Sequence, residues 1–297
     1  MRFIFQYPDA HGLDVDLLDS GRVHVLAAAA EAAGWDGFAF TEHPVPSARW
    51  LASGGHQTLD PFVALGHVAA ATTRLRLLTY LAVVPYRNPF LLAKAAATVD
   101  KLSGGRFILG VGTGYLKSEF HALGVDFDER NQLFDEAMEV LPLHWAGEPF
   151  THTGVHFDAR DSIGRPRPVQ NPIPIWIGGN ARVTLRRVAE RAQGWMPLTG
   201  PAEMATTVRT AYLSTLADLK AKVEELRHLA GDRTDQLDVA IAYTPTWTRS
   251  PADDADRHQE ALADLEEVGA TWIVVPGPIG TESSSLEFIE AFGQTCI

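Results

Sequence analysis

Glu42 and His43 stand side by side in "TEHP", a carboxylate next to an imidazole. A carboxylate can hold an imidazole in one tautomer and shift its pKa, and histidine is the side chain best suited to pass a proton near neutral pH. A loop histidine with one hydrogen bond has the same appearance. Further along, "LTYLAVVPYRNP" supplies Thr79, Tyr80, Leu81 and Arg87. A guanidinium there can grip a phosphate or carboxylate through two parallel hydrogen bonds, or lie unpaired on the surface. "GVGTG" supplies Gly110, Gly112, Thr113 and Gly114, with Tyr115 and Lys117 just after it. "PIWIGGN" supplies Gly178 and Gly179 ahead of a helix that Asn180 is placed to cap, with Arg182 in its first turn. Glycine turns that follow an apolar run and lead into a helix expose backbone amides, which hold anions. Each also reads as a structural turn, and the two together make a stronger case than either alone.

Other chemistries are disfavoured by spacing. A dinucleotide-binding loop is written G-x-G-x-x-G and needs an acidic residue about 20 positions on, at the end of the next strand. Here the glycines run G-x-G-x-G and lead into "FHALGVDFDER", which is helix or loop. His11, His24, His56, His67 and His144 show no H-x-x-x-H or mixed Cys/His spacing, so no metal is expected. There is no G-x-S-x-G elbow to present a nucleophile.

These residues need a scaffold that brings them together. Short apolar segments alternate with longer helical patterns, the signature of parallel strands buried on both faces. The candidates are Arg2–Gln6, Gly37–Phe40, Leu75–Leu81, Phe107–Val111, Ile173–Ile177, Gly194–Leu198, Leu237–Tyr243 and Thr271–Val275. Asp60–Pro61, Asn88–Pro89 and Ser250–Pro251 each put a capping side chain before a first-turn proline, and Gly34 and Gly104 supply helix stops. Strand and helix repeated in this way predict an α/β protein, a (β/α)8 TIM barrel, in which reactive groups gather past the C-terminal ends of the strands. Gly147–Pro172, rich in proline and glycine, breaks the rhythm and reads as an insertion before the fifth strand, with hairpin-like alternation around Thr151–Phe157. Residues 202–231 read as helical throughout, with room for two helices.

Composition sets outer bounds. With 297 residues, 46% of them hydrophobic, the chain can bury a large core as one domain, 1–297. A net charge of −12 with no basic cluster argues against nucleic acid. "VLAAAAEAAG" falls short of a bilayer span, and "MRFIFQYP" reads as a strand rather than a secretion signal. The lone Cys296 suits a reducing compartment, so a cytoplasmic protein without membrane partners is expected.

The ordered set "GWDGFAFTEH", "YRNPFLLAKAAATVDKLSGGRFILGVGTGYLKSEFHALGVDFDER", "LPLHW" and "PIPIWIGG…GWMP" resembles the luciferase-like monooxygenase superfamily over about residues 1–198. The resemblance points to its branch that uses the deazaflavin coenzyme F420. It implies a barrel that binds F420, or alternatively FMN, at the C-terminal mouth, with a non-proline cis peptide at Tyr80–Leu81 or next to it. By that pattern, Glu42 and His43 take the acid–base position after the second strand. Gly112, Thr113 and Gly114 take the cofactor turn after the fourth, and Gly178, Gly179 and Asn180 the paired-glycine position after the fifth. Thr79, Tyr80 and Leu81 support the ring, and Arg87, Lys117 and Arg182 are candidates for the cofactor's anionic chain. Some F420 dehydrogenases carry a catalytic glutamate after the fourth-strand turn, where this chain has Tyr115. That departure argues against a sugar-phosphate substrate and leaves Glu42, His43 or Tyr115 as acid or base. The resemblance implies an oxidoreductase acting on a small organic substrate, often as a homodimer. An FMN-dependent monooxygenase and a barrel that binds cofactor without catalysis are the alternatives.

Overall fold

All eight expected strands form in the computed structural model, which describes residues 1–200, 210–245 and 251–297. They are β1 Arg2–Gln6, β2 Gly37–Phe40, β3 Arg76–Thr79, β4 Phe107–Gly112, β5 Ile175–Gly178, β6 Gly194–Met196, β7 Asp238–Ala242 and β8 Trp272–Pro276. Each pairs in parallel with its neighbour in chain order, and β8 returns to β1 with Ile4 opposite Val274, which closes the barrel.

Strand periodicity sorts the side chains into two layers. Ile4, Ala39, Leu78, Ile108, Trp176, Met196, Ala240, Trp272 and Val274 fill the barrel's interior. Their neighbours in sequence, such as Phe3, Phe5, Phe38, Leu77, Phe107, Ile175 and Ile273, pack outward against the helices. The interior holds two tryptophans only because small residues stand beside them. A Cβ on Gly194 would lie 2.4 Å from the Trp176 ring, and the Trp176 and Trp272 ring centroids are 5.4 Å apart.

The helices are α1 Val23–Ala32, α2 Ala48–Ala52, α3 Pro61–Ala71, α4 Pro89–Leu102, α5 Lys117–Ala122, α6 Arg130–Ala146, α7 Arg182–Arg191, α8 Leu216–Ala230, α9 Ala255–Glu267 and α10 Glu282–Cys296. Asp60 caps α3 through the Phe62 and Val63 amides, and Asn88 caps α4 through the Phe90 amide. Gly34 and Gly104 follow α1 and α4 with positive φ, as their roles as stops require. Ser250 lies outside the described residues, as does part of the 202–231 segment, whose described portion holds α8. The insertion carries an antiparallel hairpin, Pro149–Thr153 with Asp158–Ile163.

The third strand departs from expectation. It ends at Thr79, passes through a cis peptide at Tyr80–Leu81, and resumes as Ala82–Val83 alongside Val111 and Gly112 of β4. Glycines make room for this detour. The Thr79 hydroxyl donates to the Gly110 carbonyl at 2.7 Å, and a Cβ on Gly110 would lie 2.0 Å from the Thr79 carbonyl oxygen. Cβ atoms on Gly112 and Gly178 would lie 2.6 and 2.2 Å from the Leu81 side chain. Gly110→Ala should therefore cost about 2 kcal/mol or more in stability, because backbone cannot yield as a side chain does. Gly66→Ala, inside α3 with nothing within 4 Å of the new methyl, should raise stability by about 0.5–1 kcal/mol. Urea unfolding of the two variants against the parent measures both.

Candidate active site

Glu42 leaves β2 at its C-terminal end and is buried. Its carboxylate accepts the Val83 amide at 2.6 Å and the Arg87 guanidinium, from Nε at 3.1 Å and also from Nη2. Burial pushes the Glu42 carboxyl above the usual carboxylate range, while Arg87 and the Val83 amide pull it back. The second carboxylate on Arg87 is Asp60, at 2.9 Å. Burial raises Asp60 too, but the α3 amides and Arg87 outweigh it and hold it below its ordinary value. Arg87, expected at an anionic cofactor chain, is thus held between Glu42 and Asp60, with Phe62 beneath it at 4.9 Å. Glu42 does not face His43 as an orienting partner.

That partner comes from elsewhere. His43 Nδ1 is 3.3 Å from Glu119 Oε2, a carboxylate on the short helix α5. Glu119 is fully buried and also accepts the Val45 amide at 3.3 Å and the Tyr86 hydroxyl at 2.9 Å. With Nδ1 turned to a carboxylate, the proton sits on Nδ1 in the neutral ring and leaves Nε2 as the acceptor. Three rings stand around His43: Trp50 at 4.6 Å, His56 at 4.7 Å and Tyr115 at 6.1 Å between centroids. Burial and the nearby Glu119 push the Tyr115 phenol up, so it is a hydrogen-bond donor rather than a base.

Beside His56 lies Asp9. Its carboxylate accepts Thr41 Oγ1 at 2.7 Å and Gln6 Nε2 at 2.9 Å, and lies 3.6 Å from His56 Nε2. Burial raises Asp9 to about 6 against the pull of those hydrogen bonds and of His43 and His11. Burial, with His43 and His11 alongside, lowers His56 to about 3, so His56 is a neutral ring and its contact with Asp9 is no ion pair. A two-residue antiparallel pairing of Ala10–His11 with His56–Gln57 carries this group, and Gly55 lets it close on Trp50, since a Cβ there would lie 2.4 Å from the indole.

The glycine turns play a different part from a bare amide cradle. Gly112 and Gly178 clear space for Leu81, and Gly114, at φ +76°, for Val83 and Phe120. Thr113, between them, is half-buried. Thr79 is fully buried and spent on Gly110, while Tyr80 and Leu81 are half-buried against the barrel's interior at the strand's end. The Gly179 amide donates to the Met196 carbonyl and the Asn180 amide to Thr210 Oγ1, so neither is available to an anion. Asn180 does not cap α7. Fully buried, it joins Leu198 and Ala211, and Ala181 takes the cap position with no side-chain bond to the first turn. The first-turn amides of α7 have no side-chain cap, and Arg182 beside them is exposed and 3.8 Å from Glu225. Lys117 is exposed on α5 with Nζ 4.9 Å from the Phe127 ring.

Asp9, His56, Trp50, Tyr86 and Glu119 carry no motif. Asp9 and His11 follow β1 as Glu42 and His43 follow β2, so position past a strand end was their available signal. Glu119 had none, since it reads as one face of a short helix. Among the described residues no three His, Cys, Asp or Glu side chains are placed to hold a metal ion, and no helix is long and apolar enough to cross a membrane.

Comparisons with known proteins agree with this architecture. An uncharacterized protein of Mycobacterium bovis is 31% identical over 292 residues, 92% of this chain and 93% of its own. An F420-dependent glucose-6-phosphate dehydrogenase of Microbacterium testaceum is 31% identical over 235 residues, 77% of this chain and 65% of that one. An FMNH2-dependent dimethylsulfone monooxygenase of Pseudomonas putida is 29% identical over 249 residues, 82% and 61%. Among solved structures, a monooxygenase from Streptomyces bottropensis shares the fold with a TM-score of 0.80 at 18% identity, covering 100% of this chain and 98% of that one. Residues 10–273 match the family described as luciferase-like monooxygenase, and the chain belongs to that family.

Proposed function

We propose that the protein is an oxidoreductase that uses coenzyme F420 to move a hydride to or from a small organic substrate at the C-terminal mouth of the barrel, with His43 handling the accompanying proton. The observation that carries this is the His43–Glu119 pair at 3.3 Å, set among Trp50, His56 and Tyr115 at the end of β2. A carboxylate-oriented imidazole in an aromatic-walled mouth is suited to pass a single proton.

The residues present fit the coenzyme. Tyr80 and Leu81, half-buried on the detour of β3, offer an apolar support for a flat ring, and Gly112, Thr113 and Gly114 form the wall beside it. The α7 first turn, lacking a side-chain cap, and Arg182 would meet the anionic chain, with Lys117 a further cation at the mouth. When bound, the coenzyme supplies the hydride chemistry. Glu119 keeps His43 in one tautomer, and His43 Nε2 takes up or delivers the substrate proton. Tyr115, kept protonated, donates a hydrogen bond toward the substrate. Glu42 acts at one remove, holding Val83 and Arg87 and with them the end of the β3 detour.

A second reading, an FMN-dependent monooxygenase, is favoured by the relative that uses reduced FMN, whose match covers slightly more of the chain. Titration of the purified protein with each cofactor, read by fluorescence quenching, separates the two. F420 should bind at least about tenfold tighter, a difference of 1.4 kcal/mol. FMN binding with no F420 binding overturns the reading. His43→Ala should lower turnover by about 10²–10⁴-fold while F420 binding stays within about twofold, as expected when a general acid–base group is removed. Turnover equal to the parent's would remove His43 from the chemistry.

A further inference from the structure

We propose that Asp9 and His56 are positioning residues that complete a row, Asp9–His56–His43–Glu119, and together with Glu119 fix the orientation and the proton load of His43. This rests on the reading of His43 as the proton-handling group.

Two carboxylates flank two imidazoles. Glu119 lies 3.3 Å from His43 Nδ1, the His43 and His56 rings meet edge to face at 4.7 Å and 84°, and Asp9 Oδ2 lies 3.6 Å from His56 Nε2. Each end of the row is tied to a different part of the barrel: Asp9 to Gln6 and Thr41, Glu119 to Val45 and Tyr86. His56 Nε2 is buried without a hydrogen bond, so this ring is fixed by its packing against His43, Trp50 and His11 rather than by a partner of its own. A buried polar atom left unsatisfied is costly and is kept where the surroundings gain from its position. Here the gain is a neutral ring that packs on His43 and lies against Asp9. Burial favours the uncharged form of Asp9, so its charge near His43 is itself adjustable around pH 6. The other groups facing the row are His11 beside Asp9 and His56, Tyr115 on the α5 side, and Tyr86 behind Glu119.

The test follows the His43 ring by NMR on protein labelled at histidine, without cofactor or substrate, with the His43 signal assigned from His43→Ala. In Asp9→Asn the His43 titration midpoint should fall, because an anion that is electrostatically coupled to His43 is gone. Asp9→Glu should restore it. The distant His24 ring is the internal reference, expected to titrate as in the parent. A His43 midpoint unchanged in folded Asp9→Asn overturns the proposal. If Asp9→Asn does not fold, His56→Gln decides through the His43 ring signals. Doubled or exchange-broadened His43 ring signals in place of one sharp set support the row, since His56 packs edge to face on that ring, and one sharp set as in the parent overturns it. Because the readout needs no turnover, its failure would leave the loss of activity in His43→Ala standing as a separate result.

Discussion

A buried carboxylate must find its hydrogen-bond donors inside the protein, and Glu42 finds them in the Val83 amide and in Arg87. Much of the barrel mouth follows from that need. Val83 lies just after the detour at Tyr80–Leu81, so the bond fastens the returning end of the third strand to the end of the second. Arg87 continues the tie to Asp60, which caps α3 with its other oxygen. One carboxylate therefore links two strand ends and a helix start. Removing one partner of such a buried set leaves the other charge uncompensated, which typically costs about 3–5 kcal/mol.

The same tie assigns the charges at the mouth. Arg87 is neutralised twice over, so the ring of aromatic groups around His43 contains carboxylates and neutral rings. Phosphate or carboxylate on the part of a substrate that reaches His43 would meet Asp9 and Glu119 rather than a guanidinium. The uncapped start of α7 stands beside Arg182, which is exposed and 3.8 Å from Glu225. On the proposed reading, the cofactor's anionic chain lies on that side and uncharged reacting groups on the other.

Glycines carry the close approaches that make the detour possible. Gly110 admits the Thr79 carbonyl, and Gly112 and Gly178 admit Leu81 from either side. The stretch that first suggests a phosphate loop is thus packed against backbone and leucine. The amides of the paired-glycine turn, at Gly179 and Asn180, are used within the fold. Two residues on, the cap position of α7 is an alanine with no side-chain bond to the first turn.

The strands, the caps at Asp60 and Asn88, the insertion hairpin and the position of His43 past β2 were all legible in the sequence. Each depends on residues adjacent in the chain: alternating apolar side chains, a capping side chain before proline, a polar residue just past a strand. The family resemblance added the cis peptide at Tyr80–Leu81. Partner choice was beyond its reach. His43 and Glu119 are 76 positions apart, Glu42 and Arg87 45, and Thr41 and Asp9 32. Neighbouring residues Glu42 and His43 look like a pair on paper, yet burial gives each a different partner. By itself the sequence determined the barrel and which side chains reach its mouth. Only closure of the barrel decided which of them meet, because a hydrogen bond depends on distances of about 3 Å between segments that the chain order leaves free.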